Sequence, residues 1–209
     1  DTICSAAGIE YLKRWQPIGC RDQGTVEVLR SRGIEAYFSR CVTLTLPRRE
    51  KIPESGEVFM VGFGKSSPLR YMVPRGIRRN AVHVDQAEVR LPITNTALKM
   101  QMARELLDAY AQRARLIITT KIHCAMPCLA MGIPVVFICD ERQRGDYRIH
   151  TLQDLVTVNY GLTDGYFAKR RNEKRAAQIN WEPAVPDIRT VGEEVAEAFK
   201  AQYQKVLNS

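Results

Sequence analysis

Apolar residues fall along this chain in short runs, separated by glycine, proline and charge, and two periodicities can be read from them. Residues 57–62 (EVFMVG), residues 81–84, the run around Ile117 and Ile118, and residues 135–139 are compact apolar stretches of strand length. Residues 17–20 add a brief strand ending at Arg21-Asp22, and residues 37–39 and 41–46 are rich in β-formers up to Pro47. Between them lie helical patterns. Residues 9–15 form a short amphipathic stretch cut off by Pro17. Asp22 can cap a helix through Ser31, with Val26 and Leu29 inward and Gly33 as its stop. Asn95 can cap a long helix over 96–113 with Leu98, Met102, Leu106 and Ala109 on one face. Further on, residues 151–156 read as a short helix, 160–175 as a loop and a solvated helix, and 181–186 as irregular. A capping box at Thr190-x-x-Glu193 opens a last helix that buries Val191, Val195, Phe199 and Val206. Strands alternating with helices predict a Rossmann-like, doubly wound and mainly parallel α/β fold. Its expected divisions are an N-terminal helix and linker (1–16), the α/β domain (17–188) and a C-terminal helix packed on it (189–209).

The stretch 114–138, ARLIITTKIHCAMPCLAMGIPVVFI, concentrates the useful chemistry. It reads as strand, tight corner, helix and second strand. Pro127 suits a first helical turn, Gly132 a stop, and Pro134 the approach to the next strand. Thr119, Thr120, Lys121 and His123 then stand at the carboxyl end of a parallel strand, where open α/β sheets bind ligands and helix N-termini favour anions. Asp140-Glu141-Arg142 occupies the same position after the following strand. A cation and an imidazole together suit an anionic substrate and a proton transfer.

Composition narrows the partners. The 209 residues carry a net charge of +8, which favours phosphates, carboxylates, nucleic acid or an anionic membrane surface, although much of the excess sits in the run from Lys169 to Arg175, where a solvated face is the ordinary reading. The six cysteines show no CxxC pair, and several lie in apolar segments, which argues for reduced thiols and a cytoplasmic setting. His123, Cys124 and Cys128 lack a fourth nearby ligand, so no metal is expected. Gly64-Lys65-Ser66 resembles the end of a P-loop, but Phe59 stands where its first glycine belongs and Pro68 follows, so no NTPase is read. The basic run lacks interleaved aromatics and no nucleic-acid motif is present. The longest apolar run holds two prolines and a glycine and is too short to span a membrane, which leaves peripheral contact open. With Asp1 first and no signal peptide, the chain reads as a processed form or an excised fragment.

Two segments together resemble the polysaccharide pyruvyl transferase family: residues 17–46, PIGCRDQGTVEVLRSRGIEAYFSRCVTLTL, and residues 114–137, with a hydrophobic strand, Thr, a basic-apolar-His triplet, an Ala-containing helix and a Gly-x-Pro strand. Asp146-Tyr147-Arg148 and residues 151–156 also look like the family's following stretch, so the resemblance runs from Pro17 to Val156. The family's Arg-Leu-His is Lys121-Ile122-His123 here, which keeps the charge and loses the bidentate fork. The family's N-terminal half, beginning near an Asn-x-Gly-Asp motif, has no counterpart in this sequence. The resemblance therefore implies the C-terminal half of a two-domain, GT-B-like enzyme, with a cleft facing a preceding domain.

The resemblance implies transfer of the enolpyruvyl unit of phosphoenolpyruvate to the hydroxyls of a cell-surface polysaccharide or its precursor, with no metal or organic cofactor. His123 would be the catalytic acid; Arg21, Lys121, Thr120 and Arg142 would bind substrate. Two other functions fit the same pattern: a GT-B glycosyltransferase using a nucleotide sugar, for which Glu141 is the carboxylate at hand, and a non-catalytic family member. Arg21 before Asp22 can equally be a helix-start ion pair, and Thr119 and Thr120 can equally be caps.

Overall fold

A computed structural model describes residues 5–86 and 95–207. Seven strands and eight helices follow in order: α1 (Ala6–Arg14), β1 (Ile18–Cys20), α2 (Gln23–Ser31), β2 (Ala36–Phe38), β3 (Glu57–Val61), α3 (Arg75–Asn80), β4 (Val82–Val84), α4 (Thr96–Arg113), β5 (Ala114–Thr119), α5 (Ile122–Ala130), β6 (Val135–Asp140), α6 (Tyr147–Gln153), β7 (Val158–Gly161), α7 (Ala168–Ala176) and α8 (Arg189–Leu207), counted among the described residues. Five strands form one all-parallel sheet in the order β4-β3-β5-β6-β7. β1 and β2 pair in parallel as a separate two-stranded sheet.

The period-2 rule explains why the central strands read as unbroken apolar runs. Phe59, Val61, Ile117, Val135 and Phe137 point to one face, under α4, α5 and α6. Val58, Met60, Leu116, Ile118, Val136 and Ile138 point to the other, against Leu69 and Met72 of the 3-10 segment Pro68–Met72, Val73 just after it, and Ile179. A parallel sheet covered on both faces has no polar side to display, so alternation disappears from the sequence. This is the doubly wound α/β fold expected. The chain winds outward from β3 to β4, then crosses back to β5 and continues through β6 and β7, so the direction reverses between β3 and β5. Such a reversal opens a crevice at the strands' carboxyl ends.

The small sheet packs on α2 through Cys20, Val26, Leu29, Ile34 and Ala36, with Ile9 and Leu12 of α1 alongside. Its link to the main body is a close one. A Cβ on Gly24 of α2 would lie 2.5 Å from the Tyr147 ring at the head of α6, so only glycine permits the approach.

Several local expectations are corrected. Residues 41–46 are not a strand; Val42–Thr45 is a 3-10 turn closed by the Thr45 hydroxyl donating to the Val42 carbonyl, and only Leu44 is buried. The short helix near 151–156 lies earlier, at Tyr147–Gln153, because Asp146 caps it by accepting from the Arg148 N–H at 2.9 Å. The stretch 160–175 contains the end of a strand, β7. On α4 the buried anchor is Tyr110, while Met102 is exposed. Pro127 is the sixth residue of α5, not part of its first turn, because the helix already starts at Ile122. α8 begins at Arg189, whose N–H is met by the Asp187 carboxylate at 3.2 Å, so Thr190 is inside the helix and caps nothing. Val195 is buried there, but Phe199 is 62% exposed; the Val206 side chain lies outside the described residues. No helix of the described residues is long and apolar enough to cross a membrane.

Candidate functional site

The sheet's reversal point is occupied by the loops that follow β3 and β5. Backbone and hydroxyl groups staple these loops together. Thr119 donates its hydroxyl to the Val61 carbonyl at 3.2 Å, Thr120 donates to the Gly62 carbonyl at 2.9 Å, and the Lys121 N–H returns to the Thr119 hydroxyl at 3.0 Å. Lys121 is the residue before α5, with extended backbone, and its side chain lies across Gly62. A Cβ on Gly62 would sit 2.6 Å from both Cγ and Cε of Lys121, and its φ of +78° also favours glycine. Gly62 thus opens the track along which Lys121 runs. The signal was a glycine directly after an apolar strand, and sequence reasoning passed over it.

His123 is the second residue of α5, exposed at its head. Its Nε2 is 2.7 Å from Nη1 of Arg21, which arrives from the carboxyl end of β1, more than a hundred residues earlier in the chain. A guanidinium can only donate, so in this contact Nε2 accepts and the ring proton is on Nδ1. Arg21 is therefore not spent on its neighbour Asp22. Asp22 is nearly buried and caps α2, accepting from the Thr25 N–H at 2.8 Å and from the Thr25 hydroxyl at 3.0 Å. That cap fixes the start of α2 and aims Arg21 at α5.

The two cysteines beside His123 turn the other way. Cys124 and Cys128 are fully buried in the main core with Tyr110, and a hydrogen bond to Cys124 together with burial pushes the Cys128 thiol well up. Burial also holds Cys139 up at about 11. Such thiols behave as small apolar residues. Among the described residues no group of three histidines, cysteines or carboxylates is placed to hold a metal ion.

Arg142 lies after β6, on the same edge of the sheet but in a network of its own. It donates to Asp140 at 2.6 and 2.9 Å and to Asp164 at 3.0 Å, with Thr163 bridging to Asp140 at 2.6 Å. Glu141 is likewise engaged, with Arg175 at 2.8 Å. Burial raises the Asp140 pKa, but the hydrogen bonds from Arg142 and Thr163 outweigh it and hold the carboxyl down to about 2, from an ordinary 3.8. A folded-state value below the unfolded one gives stability that is present above pH 4 and lost as pH falls toward 2. With Arg142 two-thirds exposed, solvent screening limits this to about 1 kcal/mol. Urea midpoints for the wild type and Asp140→Asn should therefore differ at pH 5 and converge toward pH 2. A gap that stays constant with pH would refute the network's role.

The site residues expected from sequence thus fall into two groups. Arg21, Thr120, Lys121 and His123 gather around the head of α5, whereas Arg142 sits apart, held by carboxylates. Comparison with curated proteins and with solved structures gave no match to this chain. A family described as polysaccharide pyruvyl transferase does match, over residues 6–138. That span runs from α1 into β6 and takes in all four residues of the first group, leaving out Arg142 and residues 146–156. Covering more than half of the sequence, with the reversal-point loops and the Arg21–His123 contact inside it, the match places this chain in the polysaccharide pyruvyl transferase family.

Proposed function

We propose that the head of α5 is a phosphoenolpyruvate site, and that the protein transfers the donor's enolpyruvyl unit to a pair of sugar hydroxyls as a ketal. The observation that carries this reading is the 2.7 Å contact between Arg21, which follows a strand of the small sheet, and His123 in α5, beside Lys121 at the main sheet's reversal point. The donor brings a carboxylate and a phosphate, and Arg21 and Lys121 supply a cation for each. An arriving anion competes for the Arg21 guanidinium and frees Nε2 of His123 to carry a proton.

The imidazolium then protonates the donor's methylene carbon, making C2 electrophilic. A sugar hydroxyl forms a bond to C2 and gives up its proton. The C2–O bond to phosphate breaks, the second hydroxyl adds at C2 with loss of its proton, and hydrogen phosphate leaves. One hydroxyl proton replaces that lost by the imidazolium; the other departs with phosphate. Thr120 has its own proton committed to Gly62, so it faces ligand as an acceptor, suited to a sugar hydroxyl rather than to phosphate. Arg142, bound by two carboxylates, shapes the edge of the site instead of holding the donor. A nucleotide-sugar enzyme would need a free carboxylate here, and Glu141 is paired with Arg175.

The test is a thermal-shift titration with phosphoenolpyruvate, UDP, CDP and a nucleotide sugar. A ligand at about 100 times its Kd stabilises the native state by about 2.7 kcal/mol. Phosphoenolpyruvate should raise the melting temperature, and Lys121→Ala should abolish the shift. A response to nucleotides alone would overturn the proposal in favour of glycosyl transfer.

A further inference from the structure

The basic run at residues 169–175 borders a second basic segment, with the exposed Glu173 of α7 as the carboxylate in the groove beside Arg75 and Arg78. α7 packs against the 3-10 segment Pro68–Met72, which leads into α3, and residues 65–84 contain five cations and no carboxylate. Tyr71 joins the two segments, with Arg78 4.7 Å from its ring centroid and Lys169 4.8 Å from it. Arg75, Arg79, Lys169, Arg170, Arg171 and Lys174 are all exposed, and among the described residues none of the six is in an ion pair with a carboxylate. Arg175, by contrast, turns inward to Glu141 and the Tyr160 carbonyl. At the front of α7, Gly165 takes a φ of +92° and sets out Tyr166 and Phe167, 95% and 56% exposed. Large apolar side chains so placed on a charged face need a physical reason.

We propose that this face docks the protein on an anionic lipid surface, with Phe167 and Tyr166 entering the headgroup region and the cations of α7 and α3 lying along it. Phe167, Arg170, Arg171 and Lys174 follow one another at helical spacing, so one stripe of α7 carries an aromatic at its tip and cations behind it. That is the arrangement of an interfacial anchor, with cations reaching headgroups while the ring enters the apolar boundary. Nucleic acid fits less well. The two rings meet edge to face, at 88° and 4.9 Å between centroids, and form no parallel platform for bases. Charge supplies attraction to the leaflet, and the two rings supply a component that salt does not screen. The inference does not rest on the donor assignment.

Co-sedimentation with vesicles of phosphatidylcholine, alone or with about one third phosphatidylglycerol, tests it directly. The protein should bind only the anionic vesicles. Each basic residue near such a surface is worth about fivefold in binding, so the Arg170→Glu, Arg171→Glu double variant should bind at least about 25-fold more weakly. Tyr166→Ser with Phe167→Ser should leave a residual binding that vanishes at high salt. All four residues are exposed, and unchanged melting curves will confirm that the variants fold. In Phe167→Trp, the added emission should move to the blue on anionic vesicles and stay unmoved on RNA. No vesicle binding, binding indifferent to both double variants, or RNA binding without that spectral contrast would overturn the proposal.

Discussion

His123→Ala is expected to lower pyruvyl transfer by about 100- to 10,000-fold, the usual range for a positioned general acid, while shifting the melting temperature by about a degree or less. The separation of the two effects follows from where the ring sits. His123 is exposed and its described partner is Arg21, so truncation removes no core packing and strands no buried group. The proposed chemistry, however, would lose its proton source at the methylene carbon. The same geometry distinguishes the two cations by kinetic signature. Lys121→Ala should raise the KM for phosphoenolpyruvate with a smaller change in kcat, as expected when uniform binding is lost. Arg21→Ala should lower both kcat and donor affinity, because Arg21 touches both the acid and, as proposed, the donor. Arg21→Lys should recover little of this, since a point charge does not reproduce the planar fork. Phosphate release from phosphoenolpyruvate in the presence of acceptor would measure all four variants. If His123→Ala kept its rate within a few-fold of the wild type, proton transfer would have to come from elsewhere and the assignment would fall.

Much of the placement of this candidate site was legible before the fold, for reasons that are physical. A parallel sheet buried on both faces writes itself as dense apolar runs, and its ligand edge must follow those runs. That is why Arg21, Thr120, Lys121 and His123 could be located at strand ends from their positions after β1 and β5. What could not be read was how separate segments meet. Nothing local to Arg21-Asp22 separates an ion pair from a cap plus a reaching guanidinium; the outcome depends on α2 docking against α6, through Gly24 and Tyr147. Arg142 shows the same limit from another side. Its position was right for a ligand edge, but Asp164 lies 22 residues downstream, on the far side of β7, and only the folded sheet brings it within 3.0 Å. Local propensity failed at residues 41–46, where β-formers without a neighbouring strand to pair with closed into a 3-10 turn.

The basic run hides the second large effect. Asn172→Leu is expected to destabilise the protein by about 3–5 kcal/mol, or on the order of 10 °C in melting temperature for a chain of this size. Asn172 is completely buried amid five cations. It accepts from the Leu162 N–H at 2.9 Å, and its amide donates to the Leu162 carbonyl at 2.8 Å and the Pro68 carbonyl at 2.9 Å. One side chain therefore satisfies three backbone groups and ties α7 to the end of β7 and the start of the 3-10 segment beneath it. Gly161 leaves the necessary room: a Cβ there would lie 3.2 Å from the Asn172 carbonyl oxygen and 2.1 Å from the Met72 sulfur. Leucine matches asparagine roughly in size but offers no donor or acceptor, so all three backbone groups would be left without their partner inside the protein. Lys169→Ala, three residues away and exposed, should change stability by about 0.5 kcal/mol or less. Denaturant unfolding of the two variants beside the wild type reads the difference, and hydrogen exchange at Leu162 should show the loss first. Equal stability of Asn172→Leu and Lys169→Ala would mean that water replaces the asparagine at no cost, and that α7 is held by its apolar contacts alone.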